Sequence, residues 1–252
     1  MMDVGLSGKS VIVTGAASGI GRATVHLLLA EGAHVLAVDR DGEGIDNLRQ
    51  DGPQCRPLHA DVSDENQADR IVHAALELTG RVDVLVNNAG VGHRAALADT
   101  TLAQWDSTFD VNVRAPFLLC RAAIPRMLTQ GGGTIVNVAS AAAFAAVGDR
   151  AAYCASKAAV IAMTKSITVD YAAAGIRANA VAPGTVDTPW IGRVTDGATD
   201  PAAMRAAMEQ RQAIGRLAHP EEIADAVVYL ASDRSSFAFG STLVVDGGFS
   251  AQ

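Results

Sequence analysis

A chain of 252 residues, 49 % hydrophobic but only 4 % aromatic, can bury one large α/β core built from Ala, Val, Leu and Ile. Its formal net charge of −7 excludes nucleic acid and anionic membrane surfaces as main partners, since both demand dense positive charge. No apolar run approaches the ~20 residues of a membrane span.

The beginning of the chain lacks the basic-then-apolar pattern of a signal peptide. Cys55, Cys120 and Cys154 form an odd, scattered set without a CxxC pair, so a reducing cytoplasm is the expected compartment. The six histidines never fall at metal-ligand spacing, and no catalytic metal is expected.

Strands are expected at 10–14, 34–38, 55–60, 82–87, 134–139, 177–182 and 242–246, alternating with helical stretches. The first helix shows a 3.6-residue apolar stripe of Ile20, Ala23, Leu27 and Leu28. Repeated strand–helix–strand units imply right-handed crossovers, hence a doubly wound, parallel, seven-stranded Rossmann sheet with helices on both faces. No composition break divides residues 1–252, so one domain is expected. The rhythm breaks over 187–213, where Pro189, Gly192, Gly197 and Pro201 surround short helical pieces, and this stretch reads as a substrate lid.

The first strand runs into Thr14-Gly15-Ala16-Ala17-Ser18-Gly19-Ile20-Gly21, and a helix begins there. Gly15 permits the sharp turn, Gly19 admits a pyrophosphate close to the backbone, and Gly21 lets helix and strand pack closely. The helix N-terminus offers free N–H groups to phosphates. Glycines also mark ordinary turns; the position between first strand and first helix favours the dinucleotide reading. Asp39, at the end of the second strand, suits the two ribose hydroxyls of an adenosine and repels a 2′-phosphate, which favours NAD. Arg40 beside it is the feature that would suit NADP. Asp61 and Val62 are placed to clasp the adenine, and Asn88, Ala89 and Gly90 to line the cofactor path at the end of the fourth strand.

Tyr153 and Lys157 lie one turn apart on an Ala-rich helix expected over 151–174, so both project from one face. A phenol of pKa near ~10 needs help to act as a base at neutral pH, and a nearby ammonium would supply it. Tyr153 then exchanges the proton of a substrate hydroxyl. Ser140, at the end of the fifth strand, would orient the substrate oxygen. Asn112, in the helix after the fourth strand, would hold a water linking Lys157 to solvent.

Residues 14–21, Asn87 to Gly90, Asn112, Ser140, Tyr153 with Lys157, and Pro183-Gly184 together resemble the short-chain dehydrogenase/reductase family over essentially the whole chain, about residues 9–248. The resemblance implies NAD-dependent interconversion of a secondary alcohol and a ketone. Tyr153 would be the base, Lys157 its pKa depressor and a ribose ligand, Ser140 the oxygen stabiliser and Asn112 the relay. Pro183, Gly184, Val186 and Thr188 would complete the cofactor site, Thr188 against the nicotinamide carboxamide. It also implies a homotetramer pairing helices near 108–129 and 151–174.

Within that family, Pro183 to Pro189 followed by Gln210-Arg211-Gln212 is similar to the group of 3-hydroxybutyrate and 2-keto-3-deoxy-L-fuconate dehydrogenases. Arg150, Arg193 and Arg211 stand at the places where that group surrounds a substrate carboxylate, which implies an anionic small-molecule substrate. Guanidinium groups suit the task because they bind carboxylates bidentately and keep their charge when dehydrated. Trp190 and His93 are expected to border the pocket. The alternatives are a dehydrogenase of neutral sugars or ketones, and a cofactor-binding regulator or scaffold; the latter class loses catalytic residues, and all four are present here.

Overall fold

The computed structural model describes residues 4–196 and 199–251; Gly197, one of the glycines in the expected lid, lies outside the described residues. Seven strands, β1 Ser10–Thr14, β2 His34–Asp39, β3 Cys55–His59, β4 Val84–Asn87, β5 Gly133–Val138, β6 Ile176–Pro183 and β7 Thr242–Val245, form one sheet in the order β3-β2-β1-β4-β5-β6-β7. Every pairing is parallel. Each expected strand is present, with ends moved by two residues or fewer.

The chain winds outward from β1 to β3, returns to β4, and then winds the other way. The C-terminal ends of β1 and β4 therefore bound the crevice where ligands of such sheets bind. β1 and β6 are buried throughout, and the two polar side chains inside β6 are satisfied, Arg177 by the Leu230 and Ser232 carbonyls and Asn179 by the Ala238 carbonyl.

The helices are α1 Gly19–Ala30, α2 Gly42–Asp46, α3 Gln67–Thr79, α4 Leu102–Phe109, α5 Ala115–Thr129, α6 Ala151–Tyr171, α7 Pro189–Asp196, α8 Pro201–Gln210 and α9 Pro220–Ala231. Alternate residues of each strand face opposite layers. Val11, Val13 and Val35 pack with Val25 and Leu28 of α1 and Val227 and Leu230 of α9. Ile12, Leu36 and Leu85 pack on the other face with Ile71 of α3, Leu119 of α5 and Ile167 of α6.

Two local features sharpen the sequence reading. The helix expected after β4 is widened by a π-turn, Asp110–Arg114, joining α4 to α5 and containing Asn112. Such bulges are frequent at functional sites. The stretch expected as a lid is two helices, α7 and α8, with a small core of their own: Ile191, Met208 and Leu217, packed against by Trp190, Val194 and Met204. Arg205 of α8 grips Asp187 with both terminal nitrogens, at 2.6 and 3.1 Å, which ties α8 to the segment leading into α7.

Candidate active site

The glycine turn is shaped by close approach. Gly15 and Gly19 have φ of 65° and 53°, in the left-handed region that favours glycine. A Cβ on Gly15 would stand 2.9 Å from the Ala89 Cα, and one on Gly21 would collide with the Gly15 carbonyl oxygen. The turn is pinned to β4 by Asn88, whose Nδ2 donates to the Thr14 carbonyl at 2.9 Å and to that of Gly15 at 3.2 Å. The Thr14 hydroxyl in turn accepts from the N–H groups of Asn88 and Ala89. Sequence reading missed Thr14; its only signal was a hydroxyl at the last position of β1. Ser18 precedes α1 without a side-chain capping bond, and no acidic residue occupies the first turn. The first-turn N–H groups therefore remain for an anion.

Around this turn a chamber of about 1300 Å³, counting its open mouth, is lined by Gly15, Ser18, Gly19, Asp39, Arg40, Asp61, Val62 and Ala89, among others. The Asp39 carboxylate is fixed by the N–H groups of Ala17 and Asp41, each at 3.0 Å. Burial opposes ionisation of Asp61, yet hydrogen bonds from Ser63 and the charge of Arg40 hold it below the usual carboxylate range. Arg40 thus already faces a carboxylate. The glycine cradle, the uncapped helix and the anchored Asp39 fit a dinucleotide.

Ile20, Asn88, Gly90, Thr188 and Trp190 line this chamber and also a second one of about 990 Å³, so the two form one cleft. Ser140, Arg150, Tyr153, Lys157, Pro183, Gly184, Val186 and Arg211 line the second. The Ser140 hydroxyl accepts from the Ala142 N–H at 3.1 Å and is hydrogen-bonded to Tyr153. Burial raises the Tyr153 pKa, while that bond and the charge of Arg150 pull against it. Lys157 is buried, and its Nζ donates to the Val138 carbonyl at 2.8 Å. Burial pulls its pKa down to about 8. The expected lowering of the phenol by Lys157 is not what this geometry produces, because the ammonium turns to Val138 and lies 5.8 Å from the Tyr153 ring centre.

Asn112 also differs from expectation. Its amide clamps the Val91 backbone, accepting from the N–H and donating to the carbonyl, both at 2.8 Å, and donates to Ser156 Oγ at 2.9 Å. Both amide protons are therefore committed, and the side chain positions the 88–92 segment. A missed residue sits in that segment: a Cβ on Gly92 would stand 2.9 Å from Tyr153 Cδ2.

The three arginines expected at one substrate divide. Arg150 and Arg211 line the catalytic chamber, whereas Arg193 lines the dinucleotide chamber, because α7 spans the junction and presents Trp190 to both. The Arg150 guanidinium carbon lies 5.4 Å from the Trp190 ring centre. Its Nη1 is buried with no hydrogen-bond partner among the described residues. Burial lowers the Arg150 pKa, Tyr153 opposes that, and the like charges of Arg94 and Arg211 add to the lowering. Arg94, paired with Asp149 at 3.6 Å, was not singled out in the sequence. Trp190 borders the pocket as expected and packs on Tyr153 at 5.8 Å. His93 is not among the residues lining either chamber, and its ring pairs with Ser107 at 3.0 Å.

A dinucleotide cleft at the switch point of a parallel sheet, opening onto a serine–tyrosine–lysine centre, defines an oxidoreductase acting on CH–OH groups with a nicotinamide cofactor. A family model described as enoyl-(acyl carrier protein) reductase matches residues 15–250. The chain is 40 % identical over 247 residues to the 2-keto-3-deoxy-L-fuconate dehydrogenase of Xanthomonas campestris, covering 97 % of this chain and 81 % of that one. It is 42 % identical over 248 residues to the cis-4-hydroxycyclohexanecarboxylate dehydrogenase of Sinomonas cyclohexanicum, covering 96 % and 97 %. The ligand-free aldohexose dehydrogenase structure of Thermoplasma acidophilum superposes with a TM-score of 0.89 at 33 % identity, covering 98 % of this chain and 96 % of that one. The chain belongs to the short-chain dehydrogenase/reductase family.

Proposed function

We propose that the protein is an NAD-dependent dehydrogenase of a small carboxylate-bearing alcohol, acting on a hydroxyl held between Ser140 and Tyr153. The observation that carries the carboxylate is Arg150: a permanently charged group with a buried Nη1 that no atom of the described residues satisfies, in the chamber that holds the tyrosine. A buried, unpaired guanidinium N–H is costly, and a substrate carboxylate would relieve it. Arg211 adds a second positive charge to the same chamber, which no Asp or Glu among the described residues lines. The X. campestris and S. cyclohexanicum relatives both carry names of acid substrates; the T. acidophilum enzyme is named for a neutral sugar.

Asp39 at the end of β2, together with the charge of Asp61 acting on Arg40, favours NAD over NADP. Bound in the first chamber, the dinucleotide supplies the hydride acceptor. Tyr153 Oη takes the substrate hydroxyl proton, and Ser140 Oγ orients the same oxygen. Lys157 Nζ and Asn112 Oδ1 both approach Gly90, at 3.4 and 3.5 Å from where its Cβ would stand. With the Asn112 amide protons committed, we assign the proton exit to Lys157, whose Nζ stands beside Gly90. Trp190 and the α7–α8 pair close over the substrate as a lid. The working assembly is a homotetramer in the cytoplasm.

The test compares wild type and Arg150→Met on hydroxy acids and on neutral secondary alcohols with NAD. The KM for acids should rise ~10–100-fold, the worth of a charge-assisted hydrogen bond of ~1.5–3 kcal/mol, with little change for neutral alcohols. An equal effect on both classes would falsify the carboxylate assignment.

A further inference from the structure

Resting on the carboxylate reading above, we infer that the substrate carries an apolar body, a short aliphatic or alicyclic hydroxy acid, and is not a polyhydroxylated sugar acid. The inference comes from what the catalytic chamber lacks. Beyond the reacting centre its wall is Ala142, Val147, Trp190, Ile191, Met208 and Phe249, with Arg150 and Arg211 as the charged groups. Among the described residues no Asp, Glu, Gln or His lines it; Asn88 spends its Nδ2 on the Thr14 and Gly15 carbonyls and stands with Thr188 where the two chambers meet, which leaves the Thr185 hydroxyl as a side-chain acceptor beyond the reacting centre. Gln212, which follows Arg211, is turned away: its Oε1 accepts from the Thr185 N–H and its Nε2 donates to the Arg216 carbonyl.

A sugar acid brings several hydroxyls, each of which needs an acceptor as well as a donor once water is expelled. Arginines donate only. The chamber can therefore satisfy one carboxylate, one reacting hydroxyl and at most a further hydroxyl at Thr185, and it offers mainly van der Waals contact to the rest.

Phe249 contributes the bulkiest side chain of that wall besides Trp190. It reaches the chamber from the C-terminal turn, which Asp246 holds by accepting from the N–H groups of Gly248 and Ser250 and from the Ser250 hydroxyl. The same turn bonds the end of the lid, since the Ile214 N–H donates to the Gly247 carbonyl at 3.0 Å.

The experiment measures kcat/KM with NAD for four kinds of compound: 3-hydroxybutanoate and 4-hydroxycyclohexanecarboxylate; gluconate; cyclohexanol; glucose. The first pair should exceed gluconate by on the order of 10²-fold, the discrimination an apolar pocket reaches against an added hydroxyl. Gluconate turned over as well as the apolar acids, or no turnover of either apolar acid, overturns the inference. Cyclohexanol matching 4-hydroxycyclohexanecarboxylate would instead sink the carboxylate reading and leave the apolar preference standing. Phe249→Ala should raise the ratio of 3-hydroxyoctanoate to 3-hydroxybutanoate kcat/KM by about tenfold; an unchanged ratio removes Phe249 as the wall.

Discussion

Arg150 stacks over Trp190 while Trp190 packs against Tyr153, so one indole connects the charged group of the chamber to its phenol. Guanidinium–aromatic stacking holds the fork in place, and its buried Nη1 has no hydrogen-bond partner among the described residues. Trp190→Leu should loosen both contacts. We expect KM for the acid substrate to rise ~3–10-fold, in line with ~0.5–1 kcal/mol for a partly exposed cation–π contact plus lost packing. Steady-state kinetics at fixed NAD would show it. Arg150→Lys in the wild-type background should recover only part of the Arg150→Met loss, because an ammonium is neither planar nor bidentate.

Burial raises the Tyr153 pKa, whereas alcohol oxidation needs the phenolate. The sign follows: the rate of oxidation should climb as pH rises through neutrality, and ketone reduction, which uses the protonated phenol, should be flat there and fall only at high pH. Tyr153→Phe should cut kcat by ~10²–10⁴-fold while NAD still binds with near-normal affinity by fluorescence titration. Retained turnover in that variant excludes the tyrosine as the base.

Lys157 carries a stability cost as well as a function. Its folded-state pKa is about 8 against an ordinary 10.5, so between those values the unfolded chain binds more protons and stability rises with pH. Below pH 8 the full burial cost is present. Lys157→Met should therefore raise thermal stability at pH 7, by at most about 3 kcal/mol, and remove activity. The stabilisation should shrink as pH approaches 10.5. A variant less stable than wild type at pH 7 would mean that the Nζ bond to Val138 outweighs the burial of the charge.

Asp39 accepts from two rim N–H groups, and a serine hydroxyl can keep one of them, so Asp39→Ser removes the charge at the ribose while retaining part of the anchoring. Asp39→Ser should raise KM for NAD by about tenfold and improve NADP, because the carboxylate that repels a 2′-phosphate is gone. Measured kcat/KM for the two cofactors gives the ratio. If the wild type already prefers NADP, the Asp39 argument fails outright.

The parts of this site that were legible in the sequence are those fixed by short-range spacing. The glycine turn, Asp39 at a strand end and Tyr153 one turn before Lys157 each encode their geometry within a few residues, and the alternating apolar runs encoded all seven strands. What escaped depends on convergence of distant segments. Arg193 sits one turn beyond Trp190, yet that turn carries it to the other chamber. Arg94 and Phe249 come from loops that reach the centre only once the sheet is folded. The π-turn at Asn112 is invisible to a 3.6-residue pattern, since its widening serves the amide clamp on Val91 and no apolar stripe.

Gly92 belongs to that hidden class and gives the sharpest test of the clamp. Its φ is not in the left-handed region, so an alanine meets no backbone objection there. The objection is steric: the new Cβ would stand 2.9 Å from Tyr153 Cδ2 and 3.4 Å from Trp190 Cζ2. Asn112 fixes Val91 through two bonds and so limits how far the loop can retreat, leaving the phenol as the part that gives way. Displacement of a reacting group by a few tenths of an ångström to 1 Å lowers turnover by up to ~10²-fold. Gly92→Ala should thus reduce kcat about ten- to a hundredfold, with thermal stability within ~1 kcal/mol of wild type and the dissociation constant for NAD little changed. Pairing it with Asn112→Ala, which frees the loop to move, should restore part of the substrate alignment and with it part of the lost kcat. A Gly92→Ala enzyme with normal kcat would show that the 88–92 segment yields and that Asn112 does not hold it.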